Sequence, residues 1–126
     1  MQLWLIDDDP QIGSDLRLLL PRDIHLSQVI DSRTAVALLR KNSHPPDAII
    51  LDLCLPPYLA ATEDHEGIAL LDLLKAELAP QVPVYVLSSQ PRTDYGQACL
   101  RHGAESYLEK PCSIRDLVNH LSSVGT

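Results

Sequence analysis

At 126 residues the chain is the size of one domain with its own core and is too short for two of ordinary size. Its formal charge of -7 disfavours direct contact with nucleic acid or an anionic membrane, both of which select a basic face, and it suits a cation site. Cys54, Cys99 and Cys112 are an odd number without CxxC or other metal-ligand spacing, so the pattern fits a reduced cytosolic protein better than a disulfide framework.

Met1 leads directly into the apolar run Leu3-Trp4-Leu5-Ile6, a first strand, with no basic leader or cleavage site before Asp7. Charges or prolines interrupt every apolar run well short of the roughly 20 residues that cross a bilayer, so a cytoplasmic protein is expected. The strand runs into Asp7-Asp8-Asp9-Pro10, where Asp9 can cap a helix and Pro10 suits its first position. Ile12, Leu16, Leu19 and Leu20 recur at helical spacing until Pro21. Residues 26–30 read as a second strand, and Ser32 can cap a second helix with Ala35, Leu38 and Leu39 inward. Residues 48–53 form a continuous apolar run that carries Asp52 and passes into Cys54-Leu55-Pro56-Pro57. Such a run reads as a strand covered on both faces, as in a parallel sheet flanked by helices.

The segment 57–66 is irregular and acidic. Ile68, Leu71, Leu74 and Leu78 then give a third helical stripe ending before Pro80, and residues 84–87 a fourth strand ending in Ser88-Ser89-Gln90-Pro91. Thr93 or Asp94 can cap a fourth helix that runs to about His102, with Gly103 as its stop. Tyr107 and Leu108 mark a fifth strand, closed by Glu109-Lys110-Pro111. Ser113 can cap a last helix with Asp116 in its first turn and Leu117, Val118 and Leu121 inward. Five alternations of strand and helix predict a single α/β domain over 1–126, with a parallel sheet and right-handed crossovers.

Polar candidates fall at four strand ends: Asp7 and Asp8, Asp52, Ser88, and Lys110. Singly, each is an ordinary cap, turn residue or solvated charge. Jointly they share one edge of a parallel sheet, where ligands of such folds collect. Clustered carboxylates repel one another and need a counter-charge, or one takes up a proton. Hard oxygen donors select Mg²⁺ or Mn²⁺ over zinc. Lys110 and Ser88 could then hold phosphoryl oxygens, which makes this a site for phosphoryl transfer to a carboxylate.

The chain resembles the receiver domains of two-component response regulators through Ile6-Asp7-Asp8-Asp9-Pro10, Leu51-Asp52-Leu53-Cys54-Leu55-Pro56, Gly67, Val86-Leu87-Ser88-Ser89 and the run from Gly103 to Lys110-Pro111, all in order. The resemblance implies a flavodoxin-like sheet of order 2-1-3-4-5 and a phosphoacceptor, Asp52, that takes its phosphoryl group from a sensor histidine kinase or a histidine phosphotransfer protein. It further implies Mg²⁺ held by Asp8, Asp52 and the backbone carbonyl of Cys54, with Asp7 acting mainly through water. Lys110 would pair with Asp52 or its phosphoryl group, Ser88 and Tyr107 would be the switch pair, and the Lys110-Pro111 bond would be cis. The switch pair would move inward on phosphorylation, altering the face of the fourth helix, fifth strand and fifth helix, where partner binding or homodimerisation is expected. The chemistry would be limited to the domain's own phosphorylation and dephosphorylation.

The departures are local. The acidic segment is an insertion beside the site, from which Glu63, Asp64 or Glu66 could shape metal affinity, or Tyr58 and Leu59 could screen phosphodonors. Ser89 stands where the family has Ala or Gly, and Cys54 and Gln90 occupy the two positions that tune the phosphoaspartate lifetime. A Mg²⁺-dependent aspartate-nucleophile phosphohydrolase would want an acid where Cys54 stands. A flavodoxin-like cofactor binder would want a phosphate loop after the first strand, where this chain has an acidic turn. A pseudo-receiver that only binds partners would not need Asp7, Asp8, Asp52, Ser88 and Lys110 together. The sequence stops three residues after Ser123, so an effector domain is expected to be absent or to lie outside it.

Overall fold

The computed structural model describes residues 1–41, 44–110 and 114–122. Five strands, β1 (Gln2–Ile6), β2 (His25–Val29), β3 (Ala48–Leu51), β4 (Val84–Ser88) and β5 (Ser106–Glu109), alternate with the helices α1 (Pro10–Leu19), α2 (Ser32–Lys41), α3 (Glu63–Leu73), α4 (Arg92–Arg101) and α5 (Ile114–Ser122). The strands are all parallel, in the order β2-β1-β3-β4-β5, which is the flavodoxin-like arrangement expected.

Successive residues of a strand point to opposite faces, and the central strands are apolar on both. Trp4, Ile6, Ile49, Leu51, Val84 and Val86 therefore face one core, shared with Ala35, Val36 and Leu39 of α2, Leu70 and Leu71 of α3, and Cys99 of α4. Leu3, Leu5, Ala48, Ile50, Tyr85 and Leu87 face the other, against Leu16 of α1 and Leu117 of α5. Only the edge strand β2 alternates exposed and half-buried positions. Ile6 pairs with Leu51 and Leu51 with Val86, so β1 and β3 end level with one another and β4 runs two residues further, to Ser88. That register brings the acidic turn, Asp52 and Ser88 to one edge of the sheet.

Several local expectations are corrected. Leu19 and Leu38 are exposed, because the buried stripes run through Leu16 with half-buried Ile12 and Leu20, and through Ala35, Val36 and Leu39. β2 spans His25–Val29, and Ile30 lies outside it and exposed. β3 stops at Leu51 rather than continuing to residue 53, and Asp52 starts the exit. Helix α3 begins at Glu63, four residues before Gly67, with Glu63, Asp64 and Glu66 in its first turn, where the positive end of the helix dipole favours acids. Beyond Leu73 it continues as a π-helical turn, Leu74–Leu78, in which Ala79 N–H donates to the Leu74 carbonyl at 2.8 Å before Pro80. Neither Thr93 nor Asp94 caps α4. Pro91 is its N-cap, and the Glu109 carboxylate accepts from Arg92 N–H at 2.6 Å.

Other expectations hold. Asp9 caps α1 by accepting from Gln11 N–H, with Pro10 at the first position, and Gly103 after α4 takes a left-handed φ of 101° that only glycine adopts freely. Pro111, with its peptide bond, Cys112 and Ser113 lie outside the described residues, as does the side chain of Leu121. No described helix is long and apolar enough to cross a membrane.

Candidate functional site

The acidic turn is fixed by the backbone around it. Asp7 N–H extends the ladder to the Val29 carbonyl at 3.0 Å, and Asp52 N–H does the same to the Ile6 carbonyl at 2.9 Å, so two carboxylates leave neighbouring strands at one level. Asp7 Oδ1 also accepts from Asp9 N–H, and the Gln28 side-chain amide donates to the carbonyls of Asp7 and Asp9 at 2.8 Å each. Gln28 is a support that sequence inspection missed, because a glutamine on an edge strand carries no signal of its own.

Carboxylate oxygens of Asp7, Asp8 and Asp52 lie within 4.8 Å of one another, with Asp7 and Asp52 buried and Asp8 exposed. Lys110 Nζ lies 3.1 Å from Asp7 Oδ2 and 3.4 Å from Asp52 Oδ2, bridging the two buried acids. Cys54 N–H donates to Asp52 Oδ1 at 3.2 Å. Burial, with the Asp7 charge beside it, raises the Asp52 pKa to about 6, and Lys110 and the Cys54 amide offset this only in part. For Lys110 the balance is the reverse. Burial opposes its charge, but Asp52 and Asp7 outweigh that and raise its pKa above the usual lysine value.

The donor set suits a hard divalent cation. Three carboxylates lie close together, and among the described residues Lys110 is the one cation paired with them, through Asp7 and Asp52. Among the described residues no other group of acids, histidines or cysteines could hold a metal, so Glu63, Asp64 and Glu66 do not join this one.

Ser88 is fully buried at the end of β4. Its Oγ accepts from Gln90 N–H at 3.1 Å, while its carbonyl accepts from Lys110 N–H at 2.7 Å, which ties Lys110 to the same edge. Tyr107 points inward: it is buried, and its hydroxyl donates to the Gln90 carbonyl at 2.5 Å. Burial pushes its pKa up to about 12, so the phenol remains a neutral donor at any ordinary pH. Gln90 also donates its side-chain amide to Cys54 Sγ at 3.3 Å, so the two positions singled out as flanking the acceptor touch each other. Cys99, by contrast, is an inert core thiol whose pKa burial raises to about 11.

Glu66 is the residue whose role the sequence concealed, since it looked like one more acid in an acidic run. It is fully buried, and its carboxylate accepts from the N–H groups of Tyr58, Leu59 and Ala60 at 2.7 to 3.0 Å. Burial raises its pKa, but the Tyr58 amide, the nearby Ser32 hydroxyl and the Ala60 and Leu59 amides together reverse this and leave it lowered. Ser32 Oγ itself is buried and makes no close hydrogen bond. The Arg33 guanidinium of α2 lies over the Tyr58 ring, 5.0 Å from its centre.

The family model described as the response regulator receiver domain matches residues 3–122. The two-component response regulator ARR10 of Arabidopsis thaliana is 33% identical over 94% of this chain, which spans 20% of that protein. The transcriptional regulatory protein KdpE of Mycobacterium tuberculosis is 36% identical over 93% of the chain, here 47% of the relative. The chain thus spans a fifth to about half of these curated relatives. Among solved structures, the Francisella response regulator 1452 receiver domain superposes with a TM-score of 0.80 at 25% identity, covering 97% of this chain and 93% of the other.

Proposed function

Because the chain belongs to the response regulator receiver domain family, a family of signalling domains rather than classical enzymes, we propose that Asp52 is its phosphoacceptor and Lys110 the charge that steadies the transfer. The observation that carries this is the single Lys110 ammonium held between Asp7 and Asp52 at the sheet edge. In the transfer, an Asp52 oxygen attacks phosphorus, the P–N bond of a phosphohistidine breaks, and the imidazole nitrogen keeps the bonding pair and takes a proton. The product is an acyl phosphate on Asp52.

The chain's own groups supply positioning and charge, which is most of the catalysis in phosphoryl transfer. Cys54 N–H fixes the Asp52 carboxylate by one oxygen, leaving the other to react. Lys110 can follow the phosphoryl oxygens while keeping Asp7 as its partner. Ser88, by giving up the Gln90 amide, can turn its hydroxyl to the phosphoryl group, and Tyr107 fills the space beside it. Asp8, Asp52 and the Cys54 carbonyl would hold Mg²⁺, with Asp7 acting through water and Mn²⁺ as a substitute. Bound there, the ion supplies positive charge to the carboxylates and to the incoming phosphoryl oxygens. The donor is a sensor histidine kinase or a histidine phosphotransfer protein in the cytoplasm. The face of α4, β5 and α5 carries the output, to a partner or to a second copy. The Cys54–Gln90 pair sets a phosphoaspartate lifetime different from that of receivers with an acid or amide at those positions.

The test is chemical. Incubated with Mg²⁺ and acetyl phosphate, the protein gains the mass of one phosphoryl group, and Asp52→Ala gains none. An unmodified parent, or an adduct that survives in Asp52→Ala, overturns the assignment.

A further inference from the structure

We propose that Tyr58 and Leu59, held in place by Glu66, select which protein delivers the phosphoryl group to Asp52; this rests on the phosphoacceptor reading above. The segment that carries them leaves the sheet directly after Asp52-Leu53-Cys54-Leu55-Pro56 and returns to it at Gly67, whose N–H donates to the Leu53 carbonyl at 2.9 Å. Both its ends are thus tied to the backbone next to the acceptor, on the side of α2 and α3.

Connections of this length on a surface are ordinarily mobile. This one is not free to move, because three successive amides converge on the buried Glu66 carboxylate and Arg33 covers the Tyr58 ring. The outcome of that ordering is an exposed apolar pair, with Tyr58 48% and Leu59 38% accessible. Core packing does not account for it. A fixed aromatic and aliphatic pair is a good protein contact, since the entropy of ordering it is lost before the partner arrives. Glu63 and Asp64 stand exposed at the adjoining start of α3, so the complementary donor surface has an apolar patch with cationic side chains beside its phosphohistidine. A small donor makes no such contact and is indifferent to the pair. Glu66 acts through the loop and is a positioning residue.

The experiment compares the parent, the double variant Tyr58→Ser/Leu59→Ser and Glu66→Gln, each loaded by acetyl phosphate and by a panel of phosphorylated histidine phosphotransfer domains from unrelated relays. The parent is expected to prefer its best panel member by about tenfold or more, and both variants to narrow that preference to about threefold while acetyl phosphate loading stays within about twofold. Hydrogen exchange at the amides of Tyr58, Leu59 and Ala60 should quicken by about tenfold in Glu66→Gln. A parent that accepts every donor equally, or variants that keep its ranking, overturns the proposal. So does a Glu66→Gln protein with freed amides and unchanged preference. Failure of acetyl phosphate to load the parent strikes the assignment of Asp52 instead.

Discussion

Asp52→Asn raises the melting temperature of the chelator-treated protein at pH 7.5 by about 5–10 °C, on a gain of roughly 2 kcal/mol, while abolishing phosphoryl uptake. The reason is that the folded protein holds this acid at a pKa of about 6, against an ordinary value near 3.8. Between those limits the native state binds more protons than the unfolded chain, so stability falls as pH rises. The favourable contribution is present below about pH 4 and is lost by the time pH passes 6, which at neutral pH costs on the order of 3 kcal/mol. Asparagine keeps the shape and an oxygen for the Cys54 amide but removes the charge. Lys110 is not orphaned by the change, because Asp7 remains 3.1 Å away. The variant should also lose the parent's downward slope between pH 4 and 6. Mg²⁺ should stabilise the parent more than the variant and narrow the gap, since ligand binding to the native state alone shifts stability by mass action. A variant that melts at or below the parent in chelator would mean that burial and Asp7 do not strain Asp52. The instability is thus located at Asp52, the proposed acceptor, where a bound cation would relieve it.

The legible part of this site was the part made of strand ends. A run such as 48–51 declares itself by being apolar without a break, and once five such runs alternate with helical stripes the parallel order follows, along with the shared edge on which Asp7, Asp52, Ser88 and Lys110 fall. The supports were not legible, because each depends on a contact between residues with no pattern linking them. Gln28 lies 21 residues from Asp7, and no helical or strand period links the two. Glu66 was misread for a different reason. Its charge placed it with the solvated acids of 57–66, whereas three amide donors make a buried carboxylate there favourable. Helix α3 starts early for a related cause, since Glu63 and Asp64 suit a helix amino terminus better than the loop to which their polarity assigned them. Leu19 and Leu38 show the limit of periodicity: each fits a helical spacing, yet both stand on the flank that the sheet does not cover.

Gly67→Ala destabilises the fold by about 3 kcal/mol and lowers the melting temperature by roughly 10 °C or more. In an exposed stretch of helix the same change would help, because alanine is the better helix former by about 1 kcal/mol. Here steric exclusion decides. A Cβ at this position would lie 2.2 Å from the Leu53 Cα, 2.6 Å from the Leu53 carbonyl oxygen and 2.8 Å from the Asp52 carbonyl oxygen. All three are main-chain atoms, so no side chain can rotate out of the way, and either α3 must withdraw or the exit from β3 must move. The Gly67 N–H bond to the Leu53 carbonyl is stretched in either case. Movement of that exit carries the Asp52 main chain with it, so acetyl phosphate loading should slow by about a hundredfold, as expected when a reacting group is displaced by about 1 Å. Urea denaturation and phosphorylation rates of the folded fraction measure the two effects separately. An alanine variant within about 0.5 kcal/mol of the parent would show that α3 can retreat freely from the strand. A destabilised variant with a normal loading rate would show that α3, and not the Asp52 backbone, takes up the displacement.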